Sequence, residues 1–111
     1  MEARLKAGMW VNAVLRLSEA AGRPGVVLRK GDADSGGVLC VLRDREGRQV
    51  VLSQARDGLG REAWLRGTGP EPVEEAVANA YVERATRRDP DLWVVEFDAP
   101  DLLPPFEARL L

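Results

Sequence analysis

Three apolar runs, Val26-Val27-Leu28, Val38-Leu39-Cys40-Val41-Leu42 and Val50-Val51-Leu52, follow one another with polar, glycine-bearing segments between them. Each predicts a β-strand. The middle run has five apolar residues without alternation, the pattern of a strand covered on both faces or central in its sheet. Arg61-Glu62-Ala63-Trp64-Leu65-Arg66 predicts a fourth strand. Leu92-Trp93-Val94-Val95-Glu96-Phe97 predicts a last one, with Trp93, Val95 and Phe97 on one face because side chains alternate along a strand.

Helical spacing brackets these strands. Trp10, Val14, Leu17 and Ala21 fall at i, i+4, i+7 and i+11 with Val11 and Leu15 beside them, so a helix is expected from Met9 or Trp10 to Ala21. Gly22 suits a left-handed cap and Pro24 prevents resumption. A second helix is expected to open at Pro72 and end before Asp89-Pro90, with Val73, Ala76, Val77, Ala80 and Tyr81 as its apolar stripe. Glu71, Glu74 and Glu75 at its start and Arg84, Arg87 and Arg88 at its end complement the helix dipole. Residues 54–60 read as a mobile loop.

These elements predict one α+β domain over residues 1–111: a mostly antiparallel four- to five-stranded sheet covered by two helices, in the order α-β-β-β-β-α-β. Residues 99–111 form a Pro/Leu-rich tail, too broken for a long helix and too apolar to lie loose in water. Leu102, Leu103, Phe106 and Leu110 are its candidate partner-binding residues.

Composition narrows the chemistry. There is no histidine, which removes the commonest general base, the commonest zinc ligand and the usual catalytic triads. Cys40 is the single cysteine, so neither an internal disulfide nor a multi-cysteine metal site can form, and its apolar neighbours mark it as a buried hydrophobe. No stretch approaches the roughly 20 apolar residues of a membrane span, and the N-terminus lacks the apolar core of a signal peptide. The expectation is a cytoplasmic protein with no membrane partner. Net charge is −2 but unevenly spread: residues 1–30 carry six basic and two acidic side chains, and residues 71–111 carry four and ten. That polarity favours self-association or a charged protein partner. Arginines do not cluster with interleaved aromatics, which argues against nucleic acid.

One loop invites a chemical reading. Arg29, Lys30, Gly31, Asp32, Asp34 and Gly36 form the candidate ligand-binding set. Asp32, Asp34 and Gly37 match the first, third and sixth positions of a calcium loop, but the twelfth is Arg43 where a bidentate glutamate is required. The glycines fit neither dinucleotide nor P-loop spacing, and the loop leads into a strand, so no helix N-terminus faces a phosphate. A divalent-metal nuclease core shares the element order, yet the nearest counterpart of its Glu-x-Lys is Glu46-Gly47-Arg48 in a hairpin tip. The Asp89/Asp91 pair is explained as a cap and turn. No cofactor and no resident metal are expected.

Arg4-Leu5-Lys6, Trp10-Val11-x-Ala13-x-Leu15-Arg16, the block Val27 to Gly36 and the block Arg88 to Glu96 together resemble the alphaproteobacterial domain-of-unknown-function family fourteen-ninety-one. The resemblance covers nearly the whole chain and implies a bacterial source, with no activity or catalytic residue to transfer. The residues themselves favour a non-enzymatic binding or assembly module. A metal- or phosphate-dependent hydrolase using the 29–37 loop is the alternative.

Overall fold

A computed structural model describes residues 5–111. The elements are α1 (Ala7–Ala20), β1 (Gly25–Arg29), β2 (Val38–Arg43), β3 (Gln49–Arg56), β4 (Glu62–Arg66), α2 (Glu75–Arg88) and β5 (Trp93–Asp98). The expected order is therefore observed. All five strands join one sheet in the spatial order β1-β5-β2-β3-β4. Three of its four pairings are antiparallel, and β2 runs parallel to β5.

β2 is the middle strand, and Val38, Leu39, Cys40, Val41 and Leu42 are each at most 3% exposed. Its unbroken apolar run has a physical cause: odd and even residues face different helices. Val38, Cys40 and Leu42 share one cluster with Val11 and Val14 of α1, while Leu39 and Val41 share the other with Ala78 and Ala85 of α2. The sheet is thus sandwiched, one helix to a face. Each fully buried aliphatic side chain on this strand contributes roughly 1.5–3 kcal/mol of hydrophobic stabilisation.

Both helices differ in detail from the sequence expectation. The buried stripe of α1 is Ala7, Val11, Val14 and Ser18, whereas Leu17 is 51% exposed. Ser18 tolerates the interior because its hydroxyl donates to the Leu15 carbonyl at 2.9 Å. α2 begins at Glu75 rather than Pro72, since Val73 is held in an antiparallel bridge to Gln49. Its buried positions are Ala78 and Ala85 with Tyr81 and Val82 packed beside them, leaving Val77 exposed. β3 continues to Arg56, so the expected 54–60 loop shrinks to a turn in which the Asp57 carboxylate accepts the backbone N–H groups of Leu59 and Arg61.

The tail packs on its own domain. Leu102, Phe106, Ala108 and Leu110 lie against the α1-side core. Phe106 completes an aromatic cluster with Trp10 and Trp64, with ring centroids 5.2–5.6 Å apart. Trp64 donates its backbone N–H to Arg109 and accepts from Leu111, both at 2.8 Å, so the tail bridges the outer edge of β4 at Trp64. At the tail's start, Arg23 and Asp101 make a two-pronged ion pair at 2.7 and 2.8 Å.

Candidate functional site

Residues 29–37 connect an edge strand to the central one, and they are wired to two other parts of the chain. Asp32 donates its N–H to the Asp91 carbonyl at 2.9 Å, and its own carbonyl accepts the Trp93 indole N–H at 2.8 Å. Arg29 turns inward and donates one guanidinium nitrogen to the carbonyls of Pro90 and Leu92, both at 2.8 Å. The Asp32 carboxylate accepts from the N–H groups of Ser35 and Asp34 and from the Ser35 hydroxyl. Those bonds, the Ser35 N–H first, hold its carboxyl below the usual carboxylate range.

The glycines fit the same contact. A methyl group on Gly31 would stand 2.6 Å from a ring carbon of Trp93, and one on Gly36 would collide with the Asp91 carbonyl. Neither residue has positive φ, so close approach rather than backbone handedness demands glycine here.

The loop also finishes α1. Lys6 at its N-cap makes no side-chain cap and no acidic residue occupies the first turn, yet Gly8 donates to the Ala33 carbonyl at 2.9 Å and Ala7 to that of Asp34 at 3.5 Å. Two otherwise orphaned helix donors are satisfied from across the fold. Above them, Lys6 and Asp34 form an exposed ion pair at 3.5 Å, worth at most about 1 kcal/mol in water.

Two clefts flank this junction. One, of about 530 Å³, lies between α1, β1 and the loop: Gly8, Met9, Val27 and Trp93 supply apolar lining, and Lys6, Lys30, Asn12 and Asp34 supply polar groups. The other, of about 490 Å³, includes Leu5, Trp10, Val38, Gln54 and Glu62. Its Gln54 side chain accepts the Val38 N–H at 2.9 Å. Of the sequence-predicted ligand set, Arg29, Gly31, Asp32 and Gly36 are engaged in the junction, while Lys30 and Asp34 line the first cleft. Met9, Val27 and Trp93 were not in that set. In the sequence they mark a helix start and two strand positions, and nothing in their spacing separates a cleft wall from a packed interior.

Of the sequence-predicted partner set, Leu102, Phe106 and Leu110 pack inward, and Leu103 is 47% exposed beside Leu17 in a third, shallower groove that also includes Arg23 and Asp101. Cys40 is fully buried, and burial pushes its thiol well above the ordinary range, which removes the thiolate a nucleophile needs. Among the described residues, no group of three or more acidic or cysteine side chains is placed to hold a metal, and no helix is long and apolar enough to cross a membrane.

The architecture defines a small α+β protein whose five-stranded mixed sheet carries one helix on each face and a structured junction at one end. Residues 5–107 match the family described as Protein of unknown function (DUF1491), and the chain belongs to that family. A crystal structure of a DUF1491 family protein from Caulobacter crescentus CB15 is 37% identical, with a TM-score of 0.87 over 97% of this chain and 100% of that one. An NMR structure of a DUF1491 family protein from the same organism gives 36% identity and a TM-score of 0.85 over 99% of each chain. The solution structure of a protein from A. tumefaciens gives 28% and 0.77 over 96% of this chain and 95% of that one. No curated protein matches the chain.

Proposed function

We propose that the chain is a non-enzymatic binding module whose working surface is the cleft between α1 and β1. The observation that carries this reading is the contrast between two neighbours: the Arg29 guanidinium is turned into backbone carbonyls, while Lys30 stands exposed at the mouth of a cleft walled by Met9, Val27 and Trp93. An apolar wall with a cation at its rim suits an apolar group that carries a carboxylate. A hydrolase built on the 29–37 loop is the weaker reading, because Asp32 and Arg29 already serve partners within the fold.

A nuclear magnetic resonance titration with N-acetyl-leucine and N-acetyl-leucinamide tests the reading, since the two differ only in the carboxylate. The acid is expected to shift the amides of Lys6, Gly8 and Lys30 and the Trp93 indole, the amide much less, and Lys30→Glu is expected to abolish the difference. Equal shifts from both probes, or shifts confined to other surfaces, count against it.

A further inference from the structure

The two edges of the sheet are treated differently. β4 is bridged by the tail at Trp64, whereas among the described residues β1 has β5 on one side and no strand on the other. On that open edge Val26 and Leu28 are 52% and 55% exposed. Val27, between them, lines the cleft with Met9 and Lys30. A strand laid beside β1 would therefore alternate its side chains between the cleft and the shelf made by Val26, as strand geometry requires.

Charge decides what kind of strand fits. Among the described residues 5–30, Lys6 pairs with Asp34, Arg23 pairs with Asp101 and Arg29 donates to backbone carbonyls, which leaves Lys30 as the exposed cation beside the cleft. A second copy is a poor occupant, because residues 23–30 hold no carboxylate to meet the Lys30 of the other copy. We infer that β1 is a strand-addition site for an extended, acidic segment of a partner protein, with apolar residues at alternate positions and a carboxylate meeting Lys30. This rests on the cleft reading and adds main-chain pairing to it.

The test uses the full chain and a seven-residue peptide of alternating Glu and Val, beside the same peptide N-methylated at alternate amides and a Lys/Val counterpart. Calorimetry is expected to show binding by the Glu/Val peptide that weakens at least tenfold on N-methylation, at least tenfold with Val26→Glu, and further as salt rises, with amide shifts at residues 25–30. Val26→Glu alters an exposed position, and an unchanged melting temperature verifies that the fold is retained; Leu28→Glu serves if it is not. Equal binding of the methylated peptide overturns strand addition while leaving the cleft reading standing. Equal or tighter binding of the Lys/Val peptide, no binding of the Glu/Val peptide at millimolar concentration, or a dimer of the free chain that Val26→Glu dissolves each overturns the inference.

Discussion

Gly31→Ala isolates the contact on which the junction depends. The added methyl would lie 2.6 Å from a Trp93 ring carbon and 2.7 Å from the Trp93 backbone nitrogen, and it would also meet the Asp91 carbonyl. Two of those three neighbours are backbone, so no rotamer change relieves the clash and the loop must move off the 89–93 turn. Overpacking of this kind costs about 1–3 kcal/mol. Separation also stretches the Asp32–Asp91 and Trp93–Asp32 hydrogen bonds, each contributing about 0.5–1.5 kcal/mol. The sum, about 2–6 kcal/mol, is a large share of a typical stability of about 5–15 kcal/mol. At about 4 °C per kcal/mol, the melting temperature should fall by roughly 8–24 °C in a circular-dichroism melt. Gly58→Ala is the control: its methyl meets nothing within 4 Å and its φ is not positive, so stability should stay within about 0.5 kcal/mol. A Gly31→Ala protein melting within about 2 °C of the parent refutes the reasoning.

Other expectations follow from single features. Phe106→Ala should cost about 2–3 kcal/mol, less than a fully buried phenylalanine because the ring is only half-buried, and tryptophan emission should shift red as Trp10 and Trp64 lose their partner. Deleting residues 102–111 should lower the melting temperature and raise the mass seen by light scattering, because it removes the bridge to β4 at Trp64; an unchanged mass and melting point would show that the tail contributes nothing. Cys40 should react with a thiol reagent only at the rate of unfolding, and rapid labelling of the native protein would contradict its burial. Asp44 is opposed by burial, yet the N–H groups of Arg48 and Glu46 and the Arg48 guanidinium hold its carboxyl low, as hydrogen bonds do for Asp57 and Asp101. For carboxyls depressed in the folded state, the unfolded chain binds protons first as acid is added. Their stabilisation is therefore complete above an unfolded value near 3.9 and lost as pH falls through the folded one. Melting temperature should hold steady from pH 7 to about 5 and drop below about 4, with a shallower drop in Asp44→Asn.

The residues that revealed the fold were those whose surroundings leave one solution. Leu39 to Leu42 can be apolar on both faces only in a covered strand, and Gly22 with Pro24 can only stop a helix; both are observed. Strand order was not legible, because β1 and β2 are chain neighbours and yet β5 lies between them, a choice made by long-range pairing rather than local pattern. The buried face of α1 lies about one position from the one its apolar residues mark, because a serine reads as polar whereas the buried Ser18 bonds its own helix. At the junction, the two blocks that carry the family resemblance, Val27 to Gly36 and Arg88 to Glu96, bond to each other. Their roles as ligand candidates could not be separated from that bonding without knowing where Asp91 and Trp93 lie.

The insertion of Trp93–Asp98 between two earlier strands also limits which pairings are open to a growing chain. As the chain leaves the ribosome, β2, β3 and β4 can zip together neighbour by neighbour, but β1 waits for a mate made some seventy residues later, and the loop-closure entropy of that gap must be met before the floor under α1 is complete. A nascent product halted before β5 would hold a three-stranded meander and no first edge. A paired β1, and with it the cleft wall formed by Val27 and Trp93, exists only in polypeptides whose synthesis has run past Asp98.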